Sequence, residues 1–427
     1  MGGQETFTGR FLDFLSGAPS PYHAATEVAE QLDQAGFTQL SKADQWPSAP
    51  GKYYVHDEGA LVAWIFPERT PNGFSIVGTH TDSPSLKIKP TPQRTTADGW
   101  GQLLTEVYGG PLLNSWLDRE LLIAGLVVDK QGKRHLARTG PLARIPQLAV
   151  HLDRAVNTEG LKLDPQQHLQ PVWTVDNPDV KVLDSVARAA GLHDAEDIGG
   201  TDLFLYPSQP PALFGSDNQF VAAGRQDNLS SVFAGLAALL KVGDKNLDSE
   251  RMPVFAAFDN EEVGSNTAHG AHGPILPNTL RRIALGLGQD FGGYQQMLAR
   301  STLISADATH SVNPSYPTVH DPDTRPVIGR GPAIKLNANQ RYATTAEGQA
   351  LWRRICEESG IPSQAFVSES SIPSGSTIGP GLATSLGIPT VDVGVPLLSM
   401  HSAREMTHVA DTYWFAQALE TYLSGTV

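Results

Sequence analysis

Seven acidic and imidazole side chains stand in short, ordered strings along this chain. They are His80 and Asp82 in Gly78-Thr79-His80-Thr81-Asp82-Ser83, Asp227 in Gly224-Arg225-Gln226-Asp227-Asn228, the pair Glu261-Glu262, Asp307 after Leu303-Ile304-Ser305-Ala306, and His401. The set offers imidazole and carboxylate donors and no thiolate, which suits zinc, manganese or cobalt in a hydrolytic site. Two such ions, about 3.5–4 Å apart, need one bridging carboxylate and about two further ligands each. His80, Asp227, Glu262, Asp307 and His401 meet that requirement with Asp227 as the bridge. Asp82, two residues from His80, can hold the imidazole nitrogen that faces away from the metal. In Glu261-Glu262, one carboxylate can bind an ion while the other takes a proton from the attacking water.

Taken singly, each piece has an ordinary explanation. A histidine at a strand end is usually hydrogen-bonded structure, Asp-Asn is usually a turn or a cap, and Glu-Glu usually lies on a solvated face. Five such sites set against apolar strands make a metallohydrolase the favoured reading. Other hydrolytic and nucleotide signatures are missing: there is no Gly-x-Ser-x-Gly, no His-Glu-x-x-His and no phosphate-binding loop. His23, His135, His193 and His272 lack a comparable context and are assigned surface or structural roles.

The elements that must position these groups follow from the apolar pattern. Residues 7–36 show helical spacing interrupted by Pro19-Ser20-Pro21, so two helices are expected. Lys52–Val55 and Leu61–Phe66 read as strands joined through Asp57-Glu58-Gly59. Phe74–Gly78 is a strand that runs into His80, and Pro253–Phe258 runs into the Glu261-Glu262 pair. Leu303–Ala306 leads to Asp307, Thr390–Val395 is a further strand before His401, and Ser230–Leu240 is an apolar helix. This alternation predicts an α/β fold with a mainly parallel central sheet flanked by helices. Between residues 91 and 221 the texture changes to short β-like runs with Pro-rich turns, read as a smaller inserted β-rich domain. Residues 1–90 and 222–427 would then form one catalytic domain.

The 427 residues, 40% hydrophobic and 18% charged, describe a folded chain with a substantial core. A net charge of −14 argues against nucleic acid as a partner, since phosphate needs a basic face. No apolar run approaches a membrane span. The single cysteine, Cys356, is expected on a helix as a buried thiol, and the lack of disulfides fits a reducing, cytoplasmic compartment.

Four strings resemble the M18 metallopeptidases, the aspartyl aminopeptidase family: Gly78–Pro84, Arg225–Leu229, Phe258–Ser265 and Met400–Met406. Leu112–Glu120, Ser305–Asp307 and Lys335–Thr344 look similar to family signatures as well. The resemblance implies a two-metal exopeptidase fold, with 91–221 as a dimerisation and lid domain and assembly into a homo-oligomer, a dodecamer. It implies two zinc ions per subunit, with manganese or cobalt as alternatives. His80 and Asp307 would serve one ion, Glu262 and His401 the other, with Asp227 shared and Glu261 the general base. It also implies that Lys335, Tyr342 and His310 shape the substrate pocket and that His151 is donated across a dimer interface. Short peptides with a free N-terminus would be the substrates, with an acidic first residue preferred and Lys335 its cation. Ser368–Ser374 and the loop 311–324 depart from the family pattern, which leaves that preference open between acidic and broad. Two other functions remain: a metal-dependent deacylase or amidohydrolase, distinguished by indifference to a free α-amine, and an inactive shell or cargo-binding homologue.

Overall fold

The structure, a computed structural model, describes residues 2–245, 247 and 249–427. A nine-stranded sheet runs through the centre. Its order is Thr38–Gln39, Gly51–Asp57, Ala60–Phe66, Arg251–Phe258, Gly73–His80, Thr302–Ala306, Thr390–Gly394, Ala333–Leu336 and Gln364–Val367. The sheet is mixed rather than simply parallel. Arg251–Phe258, Gly73–His80, Thr302–Ala306 and Thr390–Gly394 run parallel at its heart. Ala60–Phe66 is antiparallel to both its neighbours, and Ala333–Leu336 is antiparallel to Thr390–Gly394. The first reversal has a local cause, because the Glu58-Gly59 turn is too short for anything but a hairpin.

Both faces of this sheet are buried, and alternate side chains go to opposite layers. Leu61, Ala63, Ile65, Phe255 and Ala257 face a core shared with helices Gly2–Gly17, Pro21–Gln34, Gln226–Gly243, Ala346–Ser359 and Val409–Leu423. Val62, Trp64, Val254, Ala256 and Phe258 face a second core under Ile275–Gly286, Phe291–Ala299 and Ile378–Leu386. The two expected N-terminal helices are present, divided at Pro19-Ser20-Pro21. Ser20 caps the second by accepting from the N–H of His23. Pro21 occupies the first turn, where its missing N–H costs nothing. Cys356 is buried on Ala346–Ser359.

A seven-stranded sheet stands beside the first, built from strands between Ser85 and Pro207. Its longest pair, Glu120–Asp129 and Ile198–Pro207, is antiparallel and joins the first strand of the sheet's order to the last but one. One face buries Leu121, Ile123, Val127, Leu203 and Leu205, and the other packs Leu122, Ala124, Phe204 and Tyr206 against Tyr22 of the second helix. The strand Ser85–Thr95 begins five residues beyond His80, so the chain passes from one sheet to the other beside that histidine. The short strand Phe220–Ala223 pairs on one side with Ala212–Phe214 and on the other with Glu405–His408 from the far end of the chain.

Candidate metal centre

Parallel strands deliver their C-terminal ends to one edge of the sheet, where open α/β folds place ligands. Phe258 is in register with His80, and Ser305 with Gly78, so Glu261, Glu262, His80 and Asp307 emerge together. Asp227 arrives differently, in the first turn of Gln226–Gly243, where its backbone departs from helical geometry. His401 lies in a turn between Pro396–Leu397 and Glu405–His408, rather than straight after Thr390–Gly394. Gly394 approaches the Asp307 strand so closely that a Cβ there would fall 1.7 Å from the Asp307 carbonyl.

Two groups of three donors share Asp227: His80 with Asp227 and Asp307, and His401 with Asp227 and Glu262. His80 Nε2 lies 3.5 Å from Asp227 Oδ1 and 3.8 Å from Asp307 Oδ1. His401 Nε2 lies 3.5 Å from Asp227 Oδ2 and 3.4 Å from Glu262 Oε2. These spacings are long for hydrogen bonds. They are close to the roughly 3.3–3.5 Å between neighbouring ligands of a tetrahedral ion with ligands at about 2.0–2.1 Å.

The two imidazoles are oriented alike. His80 donates from Nδ1 to the Asp82 carbonyl at 3.1 Å, and His401 from Nδ1 to the Gly110 carbonyl at 2.9 Å. Each Nδ1 is thereby fixed as the donor, so the neutral ring would present its Nε2 lone pair to an ion held between it and the carboxylates. Asp227 Oδ1 and Glu262 Oε1 are buried without any hydrogen-bond partner. An orphaned carboxylate oxygen is costly, and a cation is the natural partner for it. The donor set and these orphaned atoms fit divalent zinc.

The electrostatics point the same way. Burial opposes charge on His80, yet the carboxylates of Asp227, Asp307 and Asp82 outweigh it and hold the imidazole well above its ordinary pKa. Burial likewise opposes the Asp227 charge, but His401 and His80 pull that carboxyl far below its usual range. Burial pushes Glu262 well up, and burial with the nearby charges of Asp307, Asp82 and Asp227 pushes Glu261 to about 7. Without a cation this cluster of acids shares too little positive charge.

Asp82 does more than face an imidazole. Its Oδ1 accepts from the N–H of Glu261 at 3.0 Å, and its Oδ2 from the N–H of Glu262 at 3.1 Å and the Tyr108 hydroxyl at 2.8 Å. It therefore fixes the turn that carries both glutamates. Lys335 is 3% exposed, with Nζ 3.7 Å from Asp307 Oδ1 and 5.4 Å from the centre of the Tyr342 ring. Burial opposes its charge, but Asp307 and the surrounding groups keep the ammonium above its ordinary pKa. Phe366 joins Tyr342 to the exposed His310, with ring centres 6.1 and 5.8 Å apart. His151 is exposed in the segment after Ala143–Arg144 and belongs to none of the donor groups within its own chain. Tyr108, Gly110, Phe366 and Glu405 were not singled out from the sequence. Glu405 alone carried a signal, four residues beyond His401 in the same string.

A family profile described as Aminopeptidase I zinc metalloprotease (M18) matches residues 14–423. A probable M18 family aminopeptidase 2 of Streptomyces coelicolor is 46% identical over 423 residues, which cover 97% of each chain. Among solved structures, the chain is similar to the cryo-EM structure of the Ape4 and Nbr1 complex, with a TM-score of 0.95 at 32% identity over 99% of this chain and 86% of that one. It is also similar to the S. cerevisiae mApe1 dodecamer, with a TM-score of 0.85 at 28% identity over 99% of this chain and 97% of that one.

Proposed function

This chain belongs to the M18 family of zinc metallo-aminopeptidases, and from that premise we propose that the Asp227 cluster is a two-ion centre removing single residues from the free N-terminus of short peptides. The observation that carries the reading is the Asp227 carboxylate, whose two oxygens face the Nε2 atoms of two different histidines. His80 and Asp307 would complete one ion's ligands, and Glu262 and His401 the other's. Bound divalent ions, zinc with manganese or cobalt as alternatives, supply Lewis acidity and make water a nucleophile near neutral pH.

The chain's own groups perform the rest. Glu261 accepts the proton of the attacking water and returns it to the departing amine, so one carboxylate serves both halves of the cleavage. Asp82 holds Glu261 and Glu262 in place through their backbone N–H groups. Lys335, Tyr342, Phe366 and His310 form the wall beside Asp307 against which the first side chain of the substrate rests. The Lys335 ammonium favours an acidic residue there, shared with Asp307. A free α-amine finds carboxylates around it, whereas an acetyl cap removes its charge.

In this reading residues 1–90 and 222–427 form the catalytic domain, and 91–221 an inserted dimerisation and lid domain. The likeness to the mApe1 dodecamer supports a homo-oligomer of that size, in which His151 would reach a neighbour's site. A lone buried Cys356 suits the cytoplasm, and among the described residues no helix is long and apolar enough to cross a membrane. The test is a panel of aminoacyl nitroanilides and short peptides with Asp, Glu, Leu, Ala or Lys first, plus N-acetylated controls, with zinc, manganese or cobalt added. Metal-dependent release from unblocked Asp and Glu substrates is expected. Broad release would discard the acidic preference alone, and cleavage confined to acetylated substrates would replace the aminopeptidase with a deacylase.

A further inference from the structure

One buried carboxylate beside the centre is neither a ligand nor a neighbour of the substrate wall. Glu405 is 2% exposed and opens the strand Glu405–His408. Its two oxygens each take one backbone N–H: Oε2 accepts from Asp227 at 3.0 Å and Oε1 from His401 at 2.8 Å. The carboxylate thus ties the shared ligand to a second ligand from a segment about 180 residues away.

Neither tethered backbone is held by regular structure. His401 sits in the left-handed region at φ 65°, and Asp227 departs from helical geometry within its helix. A non-glycine residue in the left-handed region is strained and persists only where its surroundings over-determine it. The Glu405 main chain adds to the clamp. Its carbonyl accepts from Gln226 Nε2 at 2.9 Å, Thr407 Oγ1 donates to Gln226 Oε1 at 2.5 Å, and Glu405 is in register with Ala223. Stability alone is a poor reason for this choice of residue. A second buried acid beside Asp227 is unfavourable, and two N–H groups could be satisfied by neutral oxygens.

We propose that Glu405 is a positioning residue of the metal centre, a single carboxylate that sets the Asp227 and His401 backbones so that Asp227, Glu262 and His401 converge on one ion. The inference rests on the two-ion reading above. Glu405→Gln keeps the size but turns an amide donor toward one of the two N–H groups. Glu405→Asp keeps the charge but shortens the reach by one methylene.

Zinc binding by the full chain and both variants would be followed by competition with a chromophoric chelator, beside circular dichroism and thermal melts of the metal-free proteins. Both variants are expected to keep the folded spectrum, to bind one of two zinc ions about 10–100-fold more weakly, and to recover kcat in excess zinc. If Glu405→Gln does not fold, Glu405→Asp carries the same expectation. Variants that load both ions as tightly as the wild-type chain overturn the proposal while leaving the two-ion reading intact. So does a lowered metal-free melting temperature with unchanged zinc affinity. A wild-type chain that binds no zinc removes both.

Discussion

Glu261 and Glu262 are adjacent in sequence; Glu262 enters the donor group with Asp227 and His401, whereas Glu261 groups only with His80 and Glu262 and not with the shared Asp227. A general base that holds no ion can lose its charge without losing the metal. Glu261→Gln should therefore keep the zinc content of the wild type and lower kcat by about 10²–10⁴-fold, as removal of a positioned base does. Metal analysis beside steady-state kinetics checks both halves. Lys335 supports a second prediction. Lys335→Met should lower kcat/KM for Asp and Glu substrates by about 10–100-fold, the scale of a charge-assisted hydrogen bond, and leave Leu substrates nearer to wild type. Equal losses on both would assign Lys335 to holding Asp307 instead. At this scale His80, Glu262 and Asp307 could be picked out as candidates because each follows an apolar strand, whereas Asp227, in the first turn of a helix, and His401, in a turn, stood out only through their short strings. Tyr108 and Gly110 did not, because their contacts with Asp82 and His401 depend on how the second sheet lies against the first.

The strands that carry His80, the glutamate pair and Asp307 were readable from their continuous apolar runs, since strands buried on both faces need no alternation. Their parallel order around Gly73–His80 could not be read, nor could the three-stranded sheet joining Phe220–Ala223 to Glu405–His408, because such pairings leave no local pattern. The expected mainly parallel character holds at the heart of the sheet, and the hairpin at Glu58-Gly59 had a local signal, but the reversal of Ala333–Leu336 against Thr390–Gly394 had none. Gly394→Ala tests how these strands set the site. The added methyl would strike the Asp307 carbonyl, so zinc affinity and kcat should fall together, as dialysis against graded zinc would show. Asp411 tests the helix Val409–Leu423. Its carboxylate accepts from the N–H groups of Gly329 and Gly331, but burial prevails and raises it to about 6 from an ordinary value near 3.8. The folded form then holds its proton more tightly than the unfolded form. Its ionised state costs stability above pH 6, and that cost is relieved as pH falls toward 4. Thermal melts of wild type and Asp411→Asn should show the wild type gaining on the variant between pH 7.5 and 5. Below pH 6 the gain should approach about 1.4 kcal/mol for each tenfold rise in proton concentration.

Across the whole molecule, two sheets and the chain's two ends converge on a few buried acids. The net charge of −14 means that no surplus of cations elsewhere relieves them. Metal binding and stability should therefore be coupled, and chelation should lower the melting temperature while added zinc restores it. An ion at about 1,000 times its Kd contributes roughly 4 kcal/mol to the folded state. The most direct measurement is turnover of an unblocked peptide and its N-acetylated twin by chelator-treated protein as zinc is returned stepwise. Activity on the unblocked peptide alone should appear with zinc and saturate near two ions per chain. Full activity after chelation, or equal cleavage of the acetylated twin, would contradict a two-ion aminopeptidase built on Asp227.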